Sequence, residues 1–132
     1  MIVLRELALF GLVGVIGFVA DAGILYLFKA TFGLYFGRLI SFVSAVFVTW
    51  VLNRHLTFKQ RSSGLSLSRE FSRYFVSMLG GGVVNYASYA TLVYFVDVIA
   101  NQPVWGVAFG SLAGMLVNFL LAKFFVFQNK LD

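Results

Sequence analysis

The sequence has no cysteine, a single histidine and few charges, and each shortage removes a class of protein. Without cysteine there is no disulfide framework, no thiol nucleophile and no thiolate-ligated metal. His55, standing alone, cannot form a histidine cluster around a metal. Charged residues make up 11% of the 132 positions, against roughly a quarter in a soluble domain, which excludes an ordinary water-soluble fold. What fills the chain instead is apolar: 61% hydrophobic, 18% aromatic, with a mean hydropathy of +0.92. A length that would suit one soluble domain is therefore read as a membrane protein. Ten Lys and Arg against five Asp and Glu give +5, but in a membrane protein basic residues collect in cytoplasmic loops, so nucleic acid is not the expected partner.

Crossing a hydrocarbon core of ~30 Å takes roughly 20 apolar residues. Four stretches qualify: 7–28, 36–52, 74–96 and 104–122. The first is too long for a signal-peptide core and reads as a retained span. Arg5, Arg54, Lys59, Arg61, Arg69, Arg73, Lys123 and Lys130 fall with the termini and the middle loop, whereas Lys29 and Arg38 fall with the other connections. This asymmetry places both termini and the 55–72 loop in the cytoplasm, and the 29–35 and 97–103 connections outside. The expected fold is an all-α membrane protein, one four-helix transmembrane domain over 1–132. Its halves are 1–58 and 65–128, joined by a polar, Ser-rich cytoplasmic linker at 59–73 that reads as mobile.

The halves resemble each other. A shift of 64 residues lays Arg5-Glu6-Leu7 on Arg69-Glu70-Phe71, Phe10 on Tyr74, Gly17 on Gly81 and Asp21 on Asn85. A shift of 69 lays Gly37 on Gly106, Ser41 on Gly110, Ala45 on Gly114, Thr49 on Asn118, Arg54 on Lys123 and Phe58 on Phe127. With spans one and three running the same way, this is a parallel repeat of two helix pairs. Gly37, Ser41, Ala45, Thr49 and Asn53 recur every fourth residue, as do Gly106, Gly110, Gly114, Asn118 and Ala122. Each set forms one small-residue stripe along a helix, which suits close packing of backbones and equally the lining of a polar groove.

Asp21 lies past the middle of the first span, where a charge costs about 2.5–3.5 kcal/mol on insertion scales. It shares a helical face with Gly14 and Gly17, as Asn85 does with Gly81 and Ser88. Two readings follow: a substrate or proton site, or a carboxyl bonded to Asn85 or Thr49 that fixes the packing. Arg54 and Lys123 end spans two and four, each followed by aromatic residues. They read either as snorkelling anchors or, with Asn53 and His55 beside Arg54, as ligands for a lipid phosphate. No nucleophile elbow, phosphate-binding glycine loop or acidic metal cluster is present in the sequence, so neither an enzyme nor a cofactor is expected.

The segments Leu9-Phe10-Gly11-Leu12-Val13-Gly14, Asn53-Arg54-His55-Leu56-Thr57-Phe58 and Asn118-Phe119-Leu120-Leu121-Ala122-Lys123-Phe124-Phe125-Val126-Phe127 carry a further signal. The chain resembles the GtrA-like family of small four-span bacterial inner-membrane proteins over nearly its whole length. Thr49 stands where that pattern would have a second Asn, and His55 where a more basic residue is common. The resemblance implies translocation of a polyprenyl-phosphate-linked sugar, such as undecaprenyl phosphate-glucose, from the cytoplasmic to the outer leaflet for polysaccharide synthesis. On that implication Arg54, Lys123, Asn53 and His55 bind the phosphate, and Asp21, Asn85, Thr49 and Asn118 line the headgroup path. The competing readings are a proton-coupled small-cation exporter and a non-transporting partner of a membrane glycosyltransferase. The small-residue stripes also suggest a homo-oligomer.

Overall fold

The structure, a computed structural model, describes residues 2–102 and 104–131, with the side chains of 34 and 35 left aside. The helical run Ile2–Leu52 is interrupted at Gly33, whose φ of 80° and ψ of 174° belong to no helix. It therefore consists of two legs, α1 (Ile2–Gly33) and α2 (Phe36–Thr57). The last turn of α2, Asn53–Thr57, is wound as a π-helix. There follow β1 (Arg61–Ser62), α3 (Leu67–Phe95), a short α4 (Asp97–Asn101), α5 and β2 (Asn129–Lys130). Helix α5 comprises Val104–Leu121 and a second π-helical turn, Ala122–Val126.

Contacts divide the chain into two compact units, residues 2–65 with 129–131, and Ser66–Gln128. In the first unit α1 folds back on α2. A Cβ placed on Gly37 would stand 3.5 Å from the Lys29 backbone, and one on Gly17 would strike the side chain of Thr49. The reversal needs only Gly33, because glycine alone occupies that backbone region without steric cost. The 29–35 connection expected as a loop is consequently helical to Gly33. Residues 34 and 35, at its far end, carry no side-chain description.

The second unit is a hairpin of α3 and α5. Gly106 meets Tyr89, Gly110 and Gly114 meet Asn85, and Gly81 meets Asn118. The two small-residue stripes thus form the seams inside the hairpins. Ser41, Ala45 and Asn53 are buried in one, and Gly106, Gly110, Gly114 and Ala122 in the other. Hydroxyls near these seams bond back into their own helix: Thr49 Oγ1 donates to Val46 O at 3.0 Å and Ser77 Oγ to Arg73 O at 2.8 Å. Such back-bonds satisfy a polar group where no water is available.

Among the described residues three helices are long and apolar enough to cross a membrane: Ile2–Gly33, Phe36–Thr57 and Val104–Val126, with mean hydropathies of 2.2, 1.5 and 1.8. No more than a third of each apolar stretch is buried, which leaves large apolar surface for lipid. Exposed Phe18, Val19 and Leu27 belong to it. Helix α3 is long enough at 29 residues, but its Gly80-Gly81-Gly82 run, serines and Asn85 keep it out of this group.

The linker differs from expectation. Residues 59–73 are not an unstructured tether: β1 pairs antiparallel with β2, Arg61 opposite Lys130 and Ser62 opposite Asn129, and α3 already begins at Leu67. Leu131 N–H adds a bond to Gln60 O at 2.8 Å. Arg61 is half-buried with its side chain largely covered, its Nε donating to Glu6 Oε1 at 3.2 Å, so it serves an internal ion pair as well as adding to the basic flank. Pro103, expected to close the 97–103 connection, lies outside the described residues, while residues 97–101 form α4.

Candidate functional site

Each long apolar helix that ends toward the middle loop or the C-terminus does so in a π-helical turn, and the candidate phosphate ligands stand on those turns. In the first unit Asn53 opens the turn, fully buried, and its Oδ1 accepts a bond from Thr57 Oγ1 at 2.7 Å. Phe58 N–H closes the turn on Asn53 O at 2.8 Å. The Phe58 ring is buried against Phe10, with centroids 6.2 Å apart. Arg54 follows Asn53 and is half-buried, whereas His55 is exposed. The sequence-derived trio therefore divides by role: Asn53 holds the turn, and Arg54 and His55 stand on its outer side.

The second unit repeats this construction. Phe127 N–H closes on Ala122 O at 2.8 Å, and the Phe127 ring packs edge-on against buried Tyr74 at 6.4 Å. The matching turns start 69 residues apart, the offset that already aligned Arg54 with Lys123. Lys123 is nevertheless 3% exposed, and its Nζ lies 5.7 Å and 5.5 Å from the Phe119 and Phe124 ring centroids. It is a cation held among aromatic faces, where ring quadrupoles favour it. Arg73 packs its guanidinium over Phe125 at 5.0 Å in the same unit. Wide π-turns are uncommon and concentrate at functional positions, since the extra residue re-aims side chains at the helix end.

The expected headgroup-path residues lie in the seams. Thr49 covers Gly17 in one hairpin, and Asn118 covers Gly81 in the other, with its buried Oδ1 making no hydrogen bond. Asn85 fits into the hollow made by Gly110 and Gly114. Within its own hairpin Asp21 is not bonded to Thr49. It takes a 2.5 Å bond from Arg38 Nη1, and the same nitrogen lies 3.5 Å from Ser41 Oγ.

From the sequence alone Arg38 reads as an outer-loop charge. The missed signal was the tightness of the turn: with reversal at Gly33, a long side chain at 38 reaches back to the carboxylate at 21. The second unit has neither charge, since the offsets place Asn85 and Val107 at these positions. An open groove of about 550 Å³ also runs along the second unit, lined by Ala87, Ser88, Thr91, Leu92, Phe109 and Ala113.

One of three comparisons with known proteins gives a match. The family model "GtrA/DPMS, transmembrane domain" matches residues 9–127, so the chain belongs to that family, whose members are membrane proteins and generally non-catalytic. Membership carries a role in handling polyprenyl-phosphate sugars, and with the apolar helices it makes this a multi-pass membrane protein. No curated protein and no solved structure gave a match.

Proposed function

We propose that the protein moves a polyprenyl-phosphate-linked monosaccharide, such as undecaprenyl phosphate-glucose, from the cytoplasmic to the outer leaflet of a bacterial inner membrane. In this reading α3 is the fourth span, the two hairpins run parallel, and both termini face the cytoplasm. The observation that carries it, beside the family, is the pair of equivalent π-turns with Arg54 on one and Lys123 on the other. Basic side chains at the ends of membrane spans stand at headgroup depth, where a lipid phosphate comes within their reach. Arg54 presents a fork of donors suited to a phosphate diester, with exposed His55 next to it. Lys123 contributes a buried positive charge, and Asn53 shapes the turn.

Translocation by so small a protein is physically reasonable, because the prenyl tail stays in lipid and only the headgroup crosses. Seam residues Thr49, Asn118 and Asn85, together with Asp21, supply hydrogen-bonding groups for sugar hydroxyls when a hairpin loosens. The chemistry needs no catalytic residue and no cofactor, and synthesis on one side with consumption on the other sets direction. A small-cation exporter fits less well, since its acid, Asp21, already holds a cation in Arg38.

Native mass spectrometry of the detergent-purified chain, titrated with undecaprenyl phosphate-glucose and with phosphatidylglycerol, tests the reading. Selective retention of the prenyl lipid, lost in Arg54→Ala, is expected. Indifference between the lipids contradicts it and favours an organising role beside a glycosyltransferase.

A further inference from the structure

Arg38 behaves unlike a basic residue near a span end. Such residues normally extend toward the nearest interface and place their charge in water. Arg38 lies five residues past the Gly33 reversal, yet its side chain runs the other way, down the hairpin to Asp21. Asp21 is twelve residues before Gly33, roughly 18 Å along α1, which is deep in the apolar stretch. The carboxylate is only 18% exposed, whereas the guanidinium side chain is 55% exposed on the hairpin surface. One nitrogen, Nη1, makes both of its bonds, to Asp21 and to Ser41. Among the described residues Nε and Nη2 have no protein partner, so the outer fork of the guanidinium is open.

Resting on the proposed lipid substrate, we infer that Arg38 is a second station for the phosphate diester, in which Asp21 occupies the place of the anion until the lipid arrives. The open fork binds the diester side-on. Asp21 keeps the guanidinium neutralised when the station is empty, and repels the arriving monoanion once it is bound. Affinity is thereby held low, as a site that must release its cargo requires. Ser41 Oγ, which donates to Arg38 O at 2.9 Å, fixes the side chain's root on α2. The second hairpin, with Asn85 and Val107 in these positions, has no such station.

The test uses the intact chain in detergent and reads dissociation constants for undecaprenyl phosphate-glucose and phosphatidylglycerol by native mass spectrometry. Asp21→Asn removes the competing charge and is expected to tighten the prenyl lipid about tenfold, while Arg38→Gln weakens it by a similar factor. Arg38→Lys, which still neutralises Asp21 but lacks the open fork, also weakens it and serves if the Gln variant does not fold. Unchanged affinity in Asp21→Asn, or in both Arg38 variants, while Arg54→Ala still abolishes binding, overturns the station alone. An equal gain for phosphatidylglycerol in Asp21→Asn assigns the fork to bulk lipid and overturns it too. Failure of the parent chain to prefer the prenyl lipid overturns the underlying reading and the station with it.

Discussion

Thr49 lies across the bare face of Gly17, its Cγ2 filling the space that a Cβ on residue 17 would need. The hairpin of α1 and α2 is therefore close-packed because residue 17 has no side chain. Gly17→Ala should destabilise the chain by about 1–3 kcal/mol, the usual cost of overpacking a tight contact. Gly17→Ala combined with Thr49→Ser, which deletes the colliding methyl, should recover much of the loss. Gly82→Ala, with nothing within 4 Å, should be neutral. Thermal unfolding of the three variants in one detergent checks the set, and equal effects at Gly17 and Gly82 would contradict the seam.

Gly33 carries the reversal between α1 and α2 at φ 80°. An alanine there pays strain of about 1–3 kcal/mol, because that backbone region is nearly closed to residues with a Cβ. Gly33→Ala should lower the unfolding temperature although nothing surrounds the site within 4 Å, and Gly14→Ala, equally unhindered but helical, should not. A matching pair of unfolding temperatures would show that the turn is not strained.

Glu6 and Arg61 form an ion pair in which both side chains are less than a tenth exposed. Arg61→Ala deletes a hydrogen bond to a buried carboxylate and should cost about 1.5–3 kcal/mol. The double variant Glu6→Gln/Arg61→Gln should cost much less than the two single changes added together. Strictly additive losses in a double-mutant cycle would mean that the charges do not interact.

Features set by local pattern were legible in the sequence. The stripes Gly37-Ser41-Ala45-Thr49-Asn53 and Gly106-Gly110-Gly114-Asn118-Ala122 proved to be the seams, and the Arg54/Lys123 equivalence reappeared in the paired π-turns. Features set by register were not legible. Whether Asp21 faces Arg38, or Glu6 faces Arg61, depends on how many residues the reversals consume. A turn at one glycine in place of a seven-residue loop moves α2 against α1 by more than a helical turn. The β1–β2 pair joins two residues before α3 to two at the chain's end, and a two-residue strand leaves no periodicity to read. The burial of Lys123 depends likewise on how the Phe119 and Phe124 rings fold around it.

On the proposed function the chain carries a prenyl-phosphate sugar across the bilayer, with Arg54 as its phosphate ligand. Proteoliposomes holding fluorescent undecaprenyl phosphate-glucose, challenged with a membrane-impermeant quencher, read that transfer directly. Parent protein should render nearly all of the lipid quenchable while Arg54→Ala leaves about half protected, as empty vesicles do. If the two proteins give the same quenching, the Arg54 site is wrong, and if neither exceeds empty vesicles, the protein does not flip this lipid.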